Sequence, residues 1–156
     1  MTTAIDTNVL VALWAGTPAI ATAVQQSLRR ARERGPLLVA APVFAELIAA
    51  PQWTMARVEQ LLGTMQLAVD WQINEAMWRL AGAAYRDYAD RRRAQRGDLG
   101  PRGILADFVI GAHAACSGST LLTSDQRLYR TAFPNLHLEL IEEPPTTPED
   151  QDTRGR

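Results

Sequence analysis

Residues 104–123 read ILADFVIGAHAACSGSTLLT, and the fold can be worked outward from them. Ile104 to Cys116 is apolar almost all round, the pattern of a helix enclosed within a domain rather than laid on its surface. Gly118 stops that helix, and Ser119 to Thr123 is a short apolar run that predicts a buried strand. Beyond it, Asp125 to Thr131 predicts a short helix and Leu136 to Ile141 a last strand. In the other direction, Gly97, Gly100, Pro101 and Gly103 break the chain ahead of the buried helix. Before them, Ile73 to about Arg93 predicts a long helix with Trp78, Ala81, Tyr85 and Tyr88 at helical spacing.

The amino-terminal half repeats the alternation. Thr3-Ala4-Ile5 is a short strand running into Asp6, and Asn8 to Trp14 a short helix. Thr17-Pro18 supplies a cap and a first-turn proline for a helix with Ile20, Val24 and Leu28 on one stripe, stopped by Gly35-Pro36. Leu37 to Ala40 follows as a strand. Pro42 opens a helix carrying Val43, Glu46 and Leu47, ended by Pro51; Met55, Val58, Leu61 and Leu62 mark another, and Gln66 to Val69 a strand. Strands alternating with helices predict an α/β fold, a central, mostly parallel sheet flanked by helices.

The 156 residues are 47% hydrophobic and 21% charged, an ordinary globular balance that fits one domain over residues 1–141. Cys116 is the only cysteine, so no intramolecular disulfide forms, which suits a reducing cytoplasm. The stretch MTTAIDTNVLVALWAG is too short for a membrane span and carries no basic leader; a cytoplasmic protein without a membrane partner is expected. All 16 basic residues are arginine. Without lysine there is no phosphate-binding loop ending in Gly-Lys-Ser/Thr, no Schiff-base chemistry, and no phosphotransfer site pairing Asp with Lys. Residues 1–140 hold 14 Arg against 12 acids. Residues 142–156 instead carry Glu142, Glu143, Glu149, Asp150 and Asp152 with Pro144, Pro145 and Pro148, and are expected to be a disordered acidic tail.

Four acids stand out by position. Asp6 and Asp125 each follow a strand and open a helix, where open α/β sheets gather ligands and where Asp also serves as a helix cap. Asp107 lies in the most apolar helix with no Arg three or four residues away, and an unpaired buried carboxylate demands a cation or a proton. Glu46, alone, is an ordinary helical glutamate. Convergence of such acids is what Mg²⁺ or Mn²⁺ requires, since both are hard ions that prefer carboxylate oxygens. Two His and one Cys do not make a zinc set: His113 is expected to pack in or cap its helix, and His137 to sit in a strand.

Ile5-Asp6-Thr7-Asn8-Val9-Leu10, Ala45-Glu46-Leu47, Leu105-Ala106-Asp107-Phe108-Val109-Ile110 and Leu122-Thr123-Ser124-Asp125, followed by Leu128-Tyr129, resemble the four acidic motifs of PIN-domain ribonucleases. Within that family the brevity of the chain is similar to the bacterial VapC-type toxins of toxin–antitoxin pairs. The resemblance spans about residues 1–141. It implies a PIN-like fold, Mg²⁺ or Mn²⁺ dependence, RNA cleavage, a homodimer and an inhibitory antitoxin, with Asp6, Glu46, Asp107 and Asp125 as catalytic residues and metal ligands. After Asp107 the chain departs from the family's smaller residues with Phe-Val-Ile-Gly-Ala-His.

Thr123 and Asn8 are candidates to hold those ligands by hydrogen bonds, or to act as turn and cap residues. Arg86, Arg91, Arg92, Arg93, Arg96 and Arg102, against Asp87, Asp90 and Asp98, form a cluster able to neutralise phosphates or simply to solvate a helix end. Tyr85 and Tyr88 suit either base stacking or core packing. Two other functions stay open: another Mg²⁺-dependent phosphoryl hydrolase, although the Asp-x-Asp nucleophile motif is absent, and a non-catalytic PIN module that binds a partner.

Overall fold

The computed structural model describes residues 1–51, 53–96 and 105–141. The predicted tail 142–156, the Gly/Pro break at 97–104 and the Arg102 and Arg96 side chains of the basic cluster lie outside the described residues. In order, the elements are β1 (Thr3–Ile5), α1 (Thr7–Ala15), α2 (Pro18–Arg34), β2 (Leu37–Ala40), α3 (Ala41–Ala49) and α4 (Met55–Thr64). They continue with β3 (Ala68–Asp70), α5 (Glu75–Arg96), α6 (Leu105–Cys116), β4 (Thr120–Thr123), α7 (Gln126–Ala132) and β5 (Leu138–Leu140).

The five strands form one sheet in the order β3-β2-β1-β4-β5, every neighbouring pair parallel. From β1 the chain moves outward to β2 and β3, then crosses back to the other side of β1 for β4 and β5. Right-handed crossovers, the rule for parallel strands, therefore carry α1 to α4 over one face and α5 to α7 over the other. Within each group α1 meets α2 and α3, and α5 meets α6 and α7, while α3 and α6 touch across the two groups. The order reverses between β1 and β4, and in open α/β sheets the crevice at the carboxyl ends of such strands is where ligands sit. Thr3 pairs with Thr120 and Ile5 with Leu122, so the chain leaves both strands at the same level, toward Asp6 and toward Asp125.

Each boundary has a local cause. The Thr17 hydroxyl accepts from the Ile20 amide, with Pro18 in the first turn of α2. Thr54 caps α4 in the same way. The long helix starts at Glu75 rather than Ile73 because the Asn74 side chain accepts from the Met77 amide, 3.0 Å away. Strand β3 begins at Ala68 rather than Gln66 because Gln66 takes a positive φ of 51° and the Leu67 amide turns back to the Leu62 carbonyl.

Phe108, Val109 and Ile110 of α6 are buried, so the bulky residues after Asp107 fill the core instead of disturbing it. Gly111, next on the same helix, makes room for the Phe133 ring, from which a Cβ there would stand 2.3 Å. On α5, Ala81 is buried, and Tyr85 and Tyr88 pack on Phe108 with ring centroids 5.1 and 5.5 Å away. Trp78 departs from that stripe and remains 50% exposed, one turn from the start of the helix. Among the described residues no helix is long and apolar enough to cross a membrane.

Candidate metal centre

Asp6 occupies the cap position of α1 but does not cap it. Its Oδ2 instead accepts from Thr123 Oγ1 at 2.7 Å and from Asn8 Nδ2 at 2.6 Å. Asn8 also donates to Thr123 Oγ1 at 3.1 Å, and its own oxygen accepts from the Ser124 amide. Of the two roles open to Thr123 and Asn8, both are seen: their side chains donate to Asp6 and also accept from the Asp125 and Ser124 amides of the turn, tying the end of β1 to the end of β4. Oδ1 of Asp6 is buried with no hydrogen-bond partner, in a residue only 1% exposed. Burial raises its pKa; the Thr123 hydroxyl, the Thr7 amide and the Tyr129 hydroxyl pull the other way, and Glu46 adds to the rise.

Asp125 does cap its helix, Oδ1 accepting from the Leu128 amide at 3.0 Å. Its amide donates to Thr123 Oγ1 at 3.0 Å, so one threonine hydroxyl sits between Asp6 and Asp125. Glu46 projects from α3, where Thr7 Oγ1 donates to its Oε2. Asp107 rides on the first turn of α6, which packs against α3.

Asp107 feels the charges of the other three acids. Its carboxyl is pushed up to about 7, first by burial and then by the charges of Asp6, Glu46 and Asp125. No arginine forms a salt bridge with any of the four among the described residues. Such a set is frustrated alone: each negative charge raises the cost of the next until a proton or a cation intervenes. Hard carboxylate oxygens, an orphaned buried oxygen on Asp6 and the lack of a basic partner among the described residues fit a divalent cation. The acids are not a finished cage, since among the described residues no three His, Cys, Asp or Glu side chains gather closely enough to hold an ion as they stand.

Three contacts at this end of the sheet were not singled out in the sequence. Thr7 holds Glu46, a pairing between segments that no local spacing encodes. The Tyr129 ring is fully buried, with its hydroxyl unpartnered beside Asp6. His113, 0% exposed, places Nε2 3.0 Å from Asp70 Oδ2 at the end of β3. As the ionised carboxylate only accepts, the imidazole donates. The Gln72 amide and then His113 hold the Asp70 carboxyl below its usual range. The expectation that His113 packs within the domain is met, with Asp70 as its partner; His137 sits one residue before β5. Of the basic cluster, Arg86 and Arg93 pair with Asp90, Arg92 donates to the Tyr88 hydroxyl, and Arg91 is exposed.

No curated protein matches the chain. Solved structures do. VapBC2 from Rickettsia felis, bound to a DNA fragment from its promoter, is 17% identical, covers 91% of this chain and 100% of the other, and superposes with a TM-score of 0.56. VapBC-1 from nontypeable Haemophilus influenzae is 19% identical over 89% and 97% of the two chains, with a TM-score of 0.59. A toxin–antitoxin complex from Klebsiella pneumoniae is 17% identical over 91% and 99%, also at 0.59. At these identities the likeness is one of fold. The sequence itself matches the PIN domain over residues 3–134, nearly all of the sheet and its helices, and the protein belongs to the PIN-domain family.

Proposed function

We propose that the protein is a metal-dependent endoribonuclease that hydrolyses RNA phosphodiester bonds as the toxin of a bacterial toxin–antitoxin pair. What supports this reading is Asp6 and Asp125 following the adjacent strands β1 and β4, together with an Asp107 carboxyl raised by burial and by the charges of Asp6, Glu46 and Asp125, with no arginine in a salt bridge to any of the four among the described residues. Membership of a family of nucleases and a fold shared with toxin–antitoxin complexes support it. Bound Mg²⁺ or Mn²⁺ would supply Lewis-acid stabilisation and a more acidic water at neutral pH.

The chain's own contributions follow from the geometry. Asp6, Glu46, Asp107 and Asp125 would hold the cation. Thr123 and Asn8 keep the Asp6 carboxylate from turning, and Thr7 does the same for Glu46. Asp107, its carboxyl raised by burial and by the neighbouring acids, would have to be deprotonated to hold the cation, which would make loading depend on pH. Arginines on α5 offer charge to the RNA backbone: Tyr88, on which Arg92 leans, packs on Phe108, the residue after Asp107. The implied partners are an antitoxin whose inserted arginine neutralises the acids and a second copy of the chain, acting in the cytoplasm where the RNA is.

RNA breakdown by purified protein with Mg²⁺ or Mn²⁺, abolished by chelator and by Asp107→Asn, tests the reading. Cleavage that persists in chelator, or in the Asn variant at the wild-type rate, overturns it.

A further inference from the structure

We infer that Trp71 is a base-binding platform: its exposed indole stacks on an unpaired base of the RNA, close to the bond that the acids address. The inference rests on the ribonuclease reading above.

Tyr85 and Tyr88, the residues suited by sequence to base stacking, pack on Phe108 instead. Trp71 follows β3 directly and is 60% exposed. Its place relative to the acids comes from the sheet. Continuing the β1–β2 register by two residues sets Asp6 beside Ala40, and Ala40 pairs with Asp70 on β3. Asp6 and Asp70 therefore stand at one level with a single strand between them, two strand spacings or roughly 10 Å apart. Trp71 is the next residue, on the same carboxyl edge of the sheet from which Asp6 and Asp125 emerge. An RNA strand with one phosphate at the acids spans that distance within a few nucleotides.

The segment that carries the indole is anchored. Asp70 Oδ1 accepts from the Gln72 amide at 2.9 Å, and its Oδ2 accepts from His113 Nε2 at 3.0 Å. The backbone on both sides of Trp71 is thereby tied to a buried residue of α6, the helix that also carries Asp107. The ring itself meets Phe44 of α3, two residues before Glu46, with centroids 5.1 Å apart and planes at 70°. A T-shaped contact of that kind leaves a face of the indole open, and an aromatic already held in place loses little freedom when a base lands on it. The charge beside it is a carboxylate, Asp70, which disfavours a phosphate there and is indifferent to a neutral base. Because every base has a π-face, the platform takes any unpaired base and reads no sequence.

Steady-state cleavage of a short single-stranded RNA with Mn²⁺ tests the platform in Trp71→Ala, Trp71→Leu and Trp71→Phe. Melting establishes that each variant folds, and sedimentation gives its state of association. The expected result is a KM raised about tenfold in the Ala and Leu variants with kcat unchanged, and a KM near wild type in the Phe variant, which restores a π-face. Leu separates stacking from bulk, since it fills space against Phe44 without offering that face. The salt dependence of KM should keep the wild-type slope, because no phosphate contact is lost. Where Ala unfolds, the Leu and Phe variants decide alone. A KM within about twofold of wild type in the Ala and Leu variants overturns the assignment of Trp71 and leaves the nuclease reading intact. Leu restoring KM as fully as Phe overturns it too, by making the residue a packing element. An Ala variant that sediments as a smaller species than wild type also overturns it, by making the indole an interface between copies of the chain. A wild-type protein that cleaves no RNA with Mn²⁺ overturns both readings.

Discussion

Thr7 and Glu46 are joined by a hydrogen bond from the threonine hydroxyl to the glutamate Oε2, tying the first turn of α1 to α3. Glu46 is thereby held half-buried instead of reaching freely into water, as a helical glutamate usually does. Removing the hydroxyl without removing volume, as Thr7→Val, is expected to cost about 1 kcal/mol of stability in chelator. The effect on metal is expected to be larger, a loss of about tenfold in Mn²⁺ affinity by calorimetry. Equal Mn²⁺ affinities in the two proteins would show that the Thr7 bond does not position Glu46 for an ion.

The Asp107 carboxyl sits near 7 in the fold against 3.8 when free, so the folded chain binds a proton that the unfolded chain releases between those values. Its contribution to stability is full below 3.8 and is lost as pH rises through about 7. In chelator, the wild-type melting temperature is expected to fall from about pH 5 to pH 8, and Asp107→Asn to lack that component and melt higher at the upper end. Asp6, also raised, acts in the same direction; Asp70, lowered, acts only in stronger acid. Saturating Mn²⁺ should reverse the slope, since ions bind the deprotonated site. Identical melting profiles for Asp107→Asn and wild type in chelator would take Asp107 out of the cluster.

The arginines of α5 differ in their surroundings, which makes the substrate expectation sharper. Arg93 is shared with Asp90 and Arg92 with Tyr88, whereas Arg91 is exposed. Replacing Arg91, Arg92 and Arg93 together with alanine is expected to weaken RNA binding and to lower its salt dependence by about one counterion for each phosphate no longer neutralised. Mn²⁺ affinity should barely move. A salt slope equal to wild type would make the cluster a solvated helix end.

Gly111→Ala is a stability prediction independent of function. The added methyl would meet the Phe133 ring at 2.3 and 2.7 Å, and neither the helix nor the buried ring can retreat far. Overpacking of this kind costs about 1–3 kcal/mol, or roughly 2–4 °C of melting temperature per kcal/mol in a domain of this size. Phe133→Leu should restore part of the stability in the Ala background while destabilising the parent. If the two substitutions were additive, the clash with Phe133 would not be the cause.

The strands and helices were legible because each one carries its own punctuation: Thr17-Pro18, Gly35, Pro42 and Gly118 mark ends that the structure keeps within a few residues. The boundaries that moved did so through side chains acting locally, Asn74 capping α5 and Gln66 adopting a left-handed turn. The position of the acids relative to the strands was legible too, since Asp6 and Asp125 each follow a run too apolar to be anything but buried. Two aspartates alike in sequence nonetheless behave differently. Asp125 caps its helix and Asp6 does not, because Thr123 and Asn8 compete for the Asp6 carboxylate across the sheet. Thr7 with Glu46 and His113 with Asp70 both join distant segments, so nothing in local periodicity announces them.

The bond from Thr123 to Asp6 closes a loop of 117 residues, and β1 waits for β4 to complete its place in the sheet. During synthesis, Asp6 therefore leaves the ribosome long before the groups that brace it exist, and Asp125 arrives after every other acid. An incomplete chain halted before Thr123 carries three of the four acids and none of the β4 scaffold that aligns them. Whatever chemistry the assembled acids perform is thus withheld from nascent and prematurely terminated chains, and begins only when translation of the domain is essentially finished.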